Sequence, residues 1–427
     1  MAASMQSVQP LSSLRACPDC GMICQLPAQR PGFDMRCVRC AKILRHATHH
    51  PLTWTLACAI TGFLFYFIVL TAPFIQVLVY GRFRSSTMTT GVTALGHEGL
   101  WMLASIVLFT AIFLPLLKLL NLLCVSSALH LRHPPRWIVP LFRHFRFLNT
   151  WAMVEIYLLG FLVAYTRLRA LAHVEVETAV FALIGLVLSM VSIDAALEPE
   201  AVWEDMQSRH LVPVMKQPAQ GLLIGCDICH QANEKNAVFC ARCGGAFHPR
   251  KPNSLARTWA LTIAALILYI PANIFPVMHI TKLEKITSYT ILRGVQDFWE
   301  AGLWPLALLV FTASIAIPVF KLMALGWMLI QTRGRSSTFL PARARLYRFI
   351  DFVGRWSMID IFMLSILVGL MHFGLLAQIT AGPGAIYFAS VIILTMAAVA
   401  SFDPRLMWDA AKNKKIAQND QDRALRP

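Results

Sequence analysis

Charged residues are scarce in this sequence of 427 residues. They make up only 14% of the chain, whereas hydrophobic residues make up 57%. Soluble domains carry about 25% charged and 45–50% apolar residues, so a wholly soluble protein and a disordered one are both excluded. An outer-membrane barrel is excluded as well, because its strands alternate polar and apolar residues over segments of about ten. The apolar runs of this chain are continuous and much longer.

Motifs for nucleotide-driven or hydrolytic chemistry are also missing. The sequence has no Walker A motif, no GxGxxG after a strand, no GxSxG and no HExxH. We therefore expect a protein that is not an enzyme. The net charge of +16 could indicate nucleic acid. In a membrane chain, however, such a charge more often reflects basic residues held on the cytoplasmic side, so no nucleic-acid partner is expected.

Eight apolar segments are present, and each is long enough to cross about 30 Å of hydrocarbon as a helix. They fall into two groups of four, separated by a polar connector. The segments cover about residues 52–80, 99–129, 147–168 and 178–197, and then 256–280, 302–332, 350–375 and 381–402.

Eight of the eleven cysteines form two sets of paired CxxC motifs, one before each group of apolar segments. Four thiolates in this pattern suit a tetrahedral Zn²⁺ site, because each CxxC turn presents two sulfurs to one metal. Disulfides or a redox-active CxxC are the alternatives. The proposed ligands are Cys17, Cys20, Cys37 and Cys40 in the first set, and Cys226, Cys229, Cys240 and Cys243 in the second. Weaker candidate ligands are Cys24, His46, His49, His50, His230 and His248.

The order of these features predicts an all-α polytopic membrane protein with two tandem parallel repeats. Each repeat is a small four-cysteine zinc ribbon followed by four transmembrane helices. Short matches between the halves support a duplication: Pro115-Leu116-Leu117-Lys118 with Pro318-Val319-Phe320-Lys321, Trp151-Ala152-Met153 with Trp356-Ser357-Met358, and Ser192-Ile193-Asp194 with Ser401-Phe402-Asp403. The predicted domains are a first ribbon (1–50), a first bundle (51–200), a connector with the second ribbon (201–255), a second bundle (256–410) and a tail (411–427).

Basic residues predict the orientation of the bundles. The loops at 130–147 and 331–349 lie on the same side as both ribbons and both termini. Under the positive-inside rule, this side faces the cytoplasm, where cysteines stay reduced. The two loops carry Arg132, Arg136, Arg143, Arg146, Arg333, Arg335, Arg343, Arg345 and Arg348.

Ionisable residues lie inside apolar segments, at equivalent places in the two halves. A charge at mid-bilayer costs at least about 2.5–3.5 kcal/mol, so Lys118 with Glu155, and Lys321 with Asp360, predict one Lys–carboxylate pair in each bundle. Such a pair could hold or pass a proton, or it could only brace helices. The second half is more polar, because Ser314 and Ser357 occupy the places of Ala111 and Ala152, and Thr395 adds another hydroxyl.

The layout and several motifs resemble the paraquat-inducible protein A family. The most specific segments are Gly354-Arg355-Trp356-Ser357-Met358-Ile359-Asp360 and Phe402-Asp403-Pro404-Arg405-Leu406-Met407-Trp408-Asp409, and the resemblance covers about residues 15–411. It implies residence in the Gram-negative inner membrane, zinc at both cysteine sets, and a polar network of Ser314, Lys321, Ser357, Asp360 and Thr395. It also implies two partners, membrane phospholipids and a periplasmic MCE-domain tunnel protein.

This resemblance favours a component that loads or extracts phospholipids for the tunnel, with proton coupling through the buried Lys–Asp network. Three alternatives stay open. The first is a proton-coupled exporter of small toxic or lipophilic compounds. The second is a membrane oxidoreductase that uses the CxxC thiols, and the third is a structural adaptor that seats the tunnel.

Overall fold

The structure, a computed structural model, describes residues 14–26, 34–45, 51–79, 82–169, 174–213, 223–282, 285–370 and 377–412. Within these residues, the chain forms two small ribbons, two helical bundles and a connecting helix, α9 (Pro199–Ser208). Eight helical stretches are long and apolar enough to cross a membrane, four in each bundle. The predicted fold class is confirmed. Most of the predicted tail, from residue 413 onwards, lies outside the described residues.

Short antiparallel hairpins build the ribbons. The first ribbon contains β1 (Leu14–Ala16), β2 (Ile23–Gln25), β3 (Met35–Arg36) and β4 (Ile43–Arg45), and the second contains β8 (Leu223–Gly225) and β9 (Ala232–Glu234). The ribbons lie against each other, where Ala16 N donates to His230 O at 2.9 Å. A Cβ at Gly225 would lie 2.1 Å from the Ala16 Cβ, so glycine is required for this approach.

The two bundles follow the same plan. The first consists of α1 (Pro51–Thr71), β5 (Ile75–Val79), β6 (Arg82–Ser86), α2 (Met88–His97), α3 (Trp101–Val107), α4 (Leu114–Leu129), α5 (Ile138–Arg143), α6 (Phe145–Trp151), α7 (Val154–Arg169), β7 (Val174–Val176) and α8 (Thr178–Ala196). The second consists of α10 (Ser254–Ile274), β10 (Met278–Lys282), β11 (Lys285–Tyr289), α11 (Ile291–Glu300), α12 (Trp304–Phe311), α13 (Ile317–Arg333), α14 (Leu340–Gly354), α15 (Ile359–Leu370), β12 (Ala377–Ala381) and α16 (Pro383–Ser401).

The first and fifth apolar segments end earlier than predicted. Helices α1 and α10 stop at Thr71 and Ile274, each two residues before a proline, Pro73 or Pro276. Proline disfavours helix in the residue before it and cannot donate its own backbone hydrogen bond. The chain continues as β5 and β10, which are the central strands of two three-stranded antiparallel sheets. Each sheet lies at the end of its bundle opposite the ribbons, a feature that the all-α prediction did not include.

The third and seventh spans begin earlier than predicted, at Ile138 and Leu340. The arginine-rich segments before residues 147 and 350 are therefore largely helical. Arg343 is 1% exposed, and its Nη2 donates to Ser336 Oγ at 2.9 Å. A long arginine stem can pack on apolar surface while its guanidinium finds a polar partner, so helix persists through these basic segments.

Each second span contains a turn of π-helix immediately before a proline near the start of the next helix. The π-helical turns are Leu108–Phe113, before α4, and Thr312–Ala316, before α13. Pro115 and Pro318 lie in the first two positions of these helices. Proline removes an N–H donor, and π-bulges occur frequently at functional sites. The second π-helical turn contains Ser314.

The helix ends correct one of the sequence matches between the repeats. Helices α8 and α16 both contain 19 residues and end at Ala196 and Ser401. In this register Asp194 corresponds to Val399, and Asp403 corresponds to Glu198. The match of Ser192-Ile193-Asp194 with Ser401-Phe402-Asp403 is therefore wrong, because its offset differs from that of the helices.

Helix α15 belongs to the second bundle but lies at the centre of the molecule, packed against α2 and α7 of the first bundle. Every residue of α15 is buried. In the span that contains α15, 83% of the apolar stretch is buried, against 28% and 22% in the spans of α1 and α10. A Cβ at Gly91 of α2 would come 2.6 Å from the Ser365 carbonyl oxygen. Small residues let helix backbones approach closely in membranes. The outer helices α1 and α10 therefore present apolar surface to lipid, while α15 does not.

The ribbons are exchanged between the bundles. The first ribbon packs on the second bundle, where Arg348 of α14 donates to Asp19 at 2.7 Å and Arg39 stacks 4.2 Å from the Trp408 ring centre. The second ribbon packs on the first bundle, where Arg146 of α6 donates to the Asp227 carbonyl oxygen at 2.7 Å. Sequence order does not reveal this exchange.

Candidate functional site

The eight paired cysteines form two compact clusters of buried thiols. The four sulfurs of each cluster all lie within 4.8 Å of one another. Neighbouring sulfurs are 3.4 and 3.6 Å apart in the first cluster and 3.8 and 3.5 Å apart in the second. A tetrahedral ion with bonds of about 2.3 Å to sulfur places its ligands about 3.8 Å apart. Both clusters therefore fit a metal ion, with all four ligand positions supplied by the protein.

The weaker candidate ligands do not join these clusters where they are described. The Cys24 thiol points to the Met22 carbonyl oxygen, at 3.8 Å. The His230 Nε2 lies 3.2 Å from Arg146 Nη1. Burial and the charge of Arg146 lower the pKa of His230 to about 3. His248 belongs to neither group of four, and His46, His49 and His50 lie outside the described residues. All eleven cysteines are unbridged.

A left-handed residue follows every CxxC turn. These residues are Gly21, Ala41, His230 and Gly244, with φ of 70°, 57°, 56° and 65°. In each case the backbone N–H of this residue donates to the carbonyl oxygen of the first cysteine of the turn, at 2.8–3.1 Å. The turn brings both sulfurs to one side. Two of the four positions carry a side chain where glycine is the unstrained choice.

Exchanging glycine and alanine at these positions should shift ribbon stability in opposite directions. Left-handed backbone costs alanine about 1–2 kcal/mol relative to glycine. Ala41→Gly is therefore expected to stabilise the first ribbon by about 1 kcal/mol, and Gly244→Ala to destabilise the second by a similar amount. A Cβ at Gly244 meets nothing within 4 Å, so only the backbone term acts there. The rate at which a chelator removes metal from each ribbon measures both effects. Rates equal to those of the wild type would contradict the expected cost of the left-handed backbone.

The connecting helix α9 neutralises buried arginines from both ribbons. Glu200 accepts from Arg15 Nε of the first ribbon at 2.6 Å and from Arg242 Nη1 of the second at 2.6 Å. Both arginines are at least 97% buried. Burial alone would raise the pKa of Glu200, but the charges of Arg242 and Arg15 lower it below its ordinary value. Glu200 is thus a single carboxylate that joins the two ribbons, a role that no local sequence motif indicates.

Ser314 and Asp360 come together inside the second bundle. Ser314 Oγ, in the π-helical turn, donates to Asp360 Oδ2 near the start of α15. Ser314 is fully buried, and Asp360 is 8% exposed. Both line a cavity of about 30 Å³ that also touches Met278 and Tyr289 of the sheet. This group of polar atoms therefore lies on the sheet side of the bundle.

Lys321 lies closer to the ribbons than Ser314 does, and it does not pair with Asp360. The lysine is 1% exposed, and its Nζ donates to the Gly354 carbonyl oxygen at 3.3 Å. Ser314 lies seven residues earlier in the same span, about 10 Å away along a helix axis. The contact of Ser314 with Asp360 therefore holds the carboxylate about two turns from the lysine. The predicted Lys321–Asp360 pair is wrong for this conformation.

Ser357 and Thr395 complete the predicted residues of the second bundle. Ser357 lies between Gly354 and Asp360 in the chain, is fully buried, and its Oγ has no hydrogen-bond partner in the described part of the chain. Thr395 is 1% exposed, and its Oγ1 donates to the Ile392 carbonyl oxygen at 2.9 Å. The Ser357 hydroxyl is therefore available to bind a proton or a water between Lys321 and the Ser314–Asp360 contact.

In the first bundle the lysine has a different partner from the one predicted. Lys118 Nζ lies 2.7 Å from Asp194 Oδ1 on α8, whereas Glu155 is half-buried at the start of α7. The predicted Lys118–Glu155 pair is wrong, because the register of α4 and α8 brings Asp194 to the lysine. At the matching place in the second repeat stands Val399. Alignment of the ends of α8 and α16 would have shown that Asp194 corresponds to Val399 and has no carboxylate counterpart in the second repeat.

Two ribbons whose cysteine clusters fit a metal ion, and a duplicated helical bundle with buried ionisable groups in each half, define a polytopic membrane protein. The family described as paraquat-inducible protein A matches residues 52–207 and 255–412. The chain therefore belongs to the paraquat-inducible protein A family.

Two curated relatives match along almost their whole length. The chain is 30% identical over 404 residues to the intermembrane transport protein PqiA of Escherichia coli K12, covering 92% of this chain and 95% of the relative. It is 27% identical over 412 residues to the lipophilic envelope-spanning tunnel protein A of the same organism, covering 96% and 95%. No solved structure matches the chain.

Proposed function

We propose that this protein is an inner-membrane component of a lipid transport system. It loads or extracts phospholipids for a periplasmic MCE-domain tunnel protein, and the proton gradient drives this step through the polar groups of the second bundle. Family membership and the names of the two relatives support transport between membranes. Since the sequence has no nucleotide-binding motif, a proton gradient is the natural source of energy.

The state of Lys321 is the observation that carries the proton coupling. A lysine inside an apolar span costs at least about 2.5–3.5 kcal/mol on insertion scales. Lys118 is held by a carboxylate at 2.7 Å, as expected of a structural brace. Lys321 is equally buried but has one hydrogen bond, to a carbonyl oxygen. A buried lysine without a paired carboxylate is a candidate for proton exchange, whereas a lysine in an ion pair between two helices braces them.

The cavities beside these groups fit water better than an organic substrate. They measure about 160 Å³ at Lys321 and about 30 Å³ at Asp360. Pockets for drug-sized ligands measure about 300–1,000 Å³, whereas one water needs about 10–15 Å³. The sizes therefore support proton transfer at these residues. A larger cavity of about 410 Å³ adjoins the one at Lys321, but charged residues of the ribbon end line it, which does not favour a lipophilic compound.

The two cysteine clusters hold structural Zn²⁺ in this proposal. All four ligands of each site come from buried thiols, and a closed site of four cysteines leaves no open position for catalysis. The ribbons then act as clamps at the cytoplasmic end of the bundles, as the basic residues of that end predict. This role also favours a structural function of the CxxC motifs over a redox one.

Removing the ionisable groups of the second bundle should abolish transport. We expect Lys321→Met and Asp360→Asn each to lower phospholipid delivery by more than about 100-fold, the scale on which positioned proton-transfer groups act. Delivery is measured from proteoliposomes into purified MCE-domain protein, with and without an imposed pH gradient. Asp409→Asn, which removes a half-exposed partner of Arg250 at the ribbon end, is the control and should retain delivery. Full delivery by both variants at normal protein level would contradict the coupling.

A further inference from the structure

Two neighbouring cavities lie between Lys321 and the ribbon end of the molecule. The cavity of about 160 Å³ beside Lys321 adjoins a larger one of about 410 Å³ beneath the ribbons. Four residues line both cavities: Thr150, Trp151, Asp351 and Ala400. The wall that these residues form is therefore common to the space beside the lysine and the space beneath the ribbons.

The larger cavity has the walls of a water-filled space. Arg146, Lys251, Arg405 and the carboxylates Asp19, Asp227 and Asp403 all line it. Arg405 lies 2.7 Å from Asp403 and 2.5 Å from Asp227, so much of this charge is balanced within the wall. The space is open at the surface, because Thr150, Asp351 and Ala400 in its wall are exposed, so water can enter it. Water there would extend from the ribbon end toward the bundle.

The smaller cavity is formed by both repeats. The first repeat contributes the uncharged residues Asn149, Thr150 and Trp151, and α16 contributes the uncharged Met396, Val399 and Ala400. The titratable and charged groups that face Lys321 in this cavity are Asp351 of α14 and Arg355, which follows α14. Asp351 also lines the larger cavity, so a carboxylate stands at the junction between the two.

Comparison of the repeats indicates why Lys321 faces this space. In the first repeat, Asp194 fixes Lys118 at 2.7 Å. The equivalent position in the second repeat is Val399, which lines the cavity beside Lys321. Asp403 lies just after α16, but it is paired with Arg405 and not with Lys321. A valine thus stands where an aspartate would form an ion pair with the lysine.

We propose that the two neighbouring cavities are the ribbon-side access path by which water and protons reach Lys321, and that Val399 leaves this lysine free to exchange its proton. The inference rests on the proton coupling proposed above. It adds the side from which the proton exchanges and a residue that permits the exchange. Asp360 and Ser314, in the separate cavity at the sheet, then exchange with the opposite side.

Cysteine labelling tests the path without relying on transport. Met396→Cys, at a buried position in the cavity beside Lys321, and Thr150→Cys, at an exposed position, are introduced separately into a chain in which Cys24, Cys58 and Cys124 are replaced by serine. The first variant tests the path, and the second is the control for access at the surface. A charged, membrane-impermeant thiol reagent is added to sealed vesicles of both orientations, with the chain lacking the new cysteine as the background. We expect labelling only when the ribbon end faces the reagent. If the Met396→Cys protein is labelled from neither side, or only from the sheet side, the path is overturned.

Val399→Asp tests the second part of the proposal. The new carboxylate should hold Lys321 as Asp194 holds Lys118, and phospholipid delivery is expected to be at least about tenfold lower than in Val399→Asn, which has the same size without the charge. Protein abundance and ribbon-side labelling of Thr150→Cys show whether the variant is folded. Equal delivery by two folded variants would overturn the role of Val399.

The results separate this inference from the proposed function. Ribbon-side labelling together with delivery that ignores an imposed pH gradient would contradict the coupling while the path stands. Delivery that follows the gradient, with a cysteine at position 396 that stays unlabelled, would contradict the path while the coupling stands.

Discussion

Replacing Cys229 by serine is expected to lower the amount of protein in the membrane to a small fraction of the wild-type level. Structural Zn²⁺ contributes about 10–16 kcal/mol to folding in small zinc peptides, which equals or exceeds the stability of a typical domain, about 5–15 kcal/mol. The two strands described in the second ribbon have three residues each, so we expect its folding to depend on the proposed ion. Elemental analysis of purified protein should find two zinc ions per wild-type chain and one in the variant.

Cys124→Ser is the matched control for this experiment. Cys124 is a half-buried thiol of α4 that belongs to neither cluster. The control should keep two zinc ions and normal abundance. A Cys229→Ser protein that accumulates and melts like wild type would show that the ribbon is not metal-dependent, whatever the control does.

Glu200→Gln is expected to destabilise the ribbon end by about 3–5 kcal/mol, the usual loss when one partner of a buried ion pair is removed. The glutamine leaves Arg15 and Arg242, both almost completely buried, without their shared carboxylate. Glu204→Gln is the control, because Glu204 is 42% exposed and pairs with Arg45 at 2.7 Å. Arg45 is buried, but it keeps the carboxylate of Glu198 at 2.9 Å when Glu204 is replaced, so the control should lose little stability. Thermal unfolding of detergent-purified protein measures both variants, and similar losses would contradict the special role of Glu200.

The Glu200 effect should also depend on pH in a defined direction. The pKa of Glu200 is lowered in the folded protein, so its carboxylate contributes stability that is present above the ordinary glutamate pKa of about 4.3. That contribution is lost as the pH falls below this value. The difference in melting temperature between wild type and Glu200→Gln should therefore be full at pH 7 and shrink on acidification. A difference that grows toward acid pH would contradict this assignment.

The membrane spans and metal clusters could be predicted because their signals are local. A CxxC turn fixes two sulfurs within four residues, and the left-handed residue after it, as at Gly21, follows from the same turn. A continuous apolar run sets a span without knowledge of its neighbours. The ends of α1 and α10 were mispredicted for a local reason as well, since Pro73 and Pro276 carried the signal and were placed inside helices.

The polar partners could not be predicted, because they depend on how distant elements pack. Arg15 and Glu200 are 185 residues apart in the chain, and Lys118 and Asp194 are 76 apart. Helical periodicity places Ser314 and Lys321 on one face, but it does not say which of the two meets Asp360. A two-turn shift between neighbouring helices decides that contact, and one sequence contains no measure of such a shift.

The exchange of ribbons between the bundles has a consequence for the origin of the chain. Each half places its own ribbon on the other half, as Asp19 with Arg348 and Asp227 with Arg146 illustrate. Two separate copies of one repeat could make these contacts only as a domain-swapped pair, in which each copy lends its ribbon to the other. Joining the two repeats in one chain fixes that arrangement, and it lets the two lysines have different neighbours, Asp194 beside Lys118 and Val399 beside Lys321.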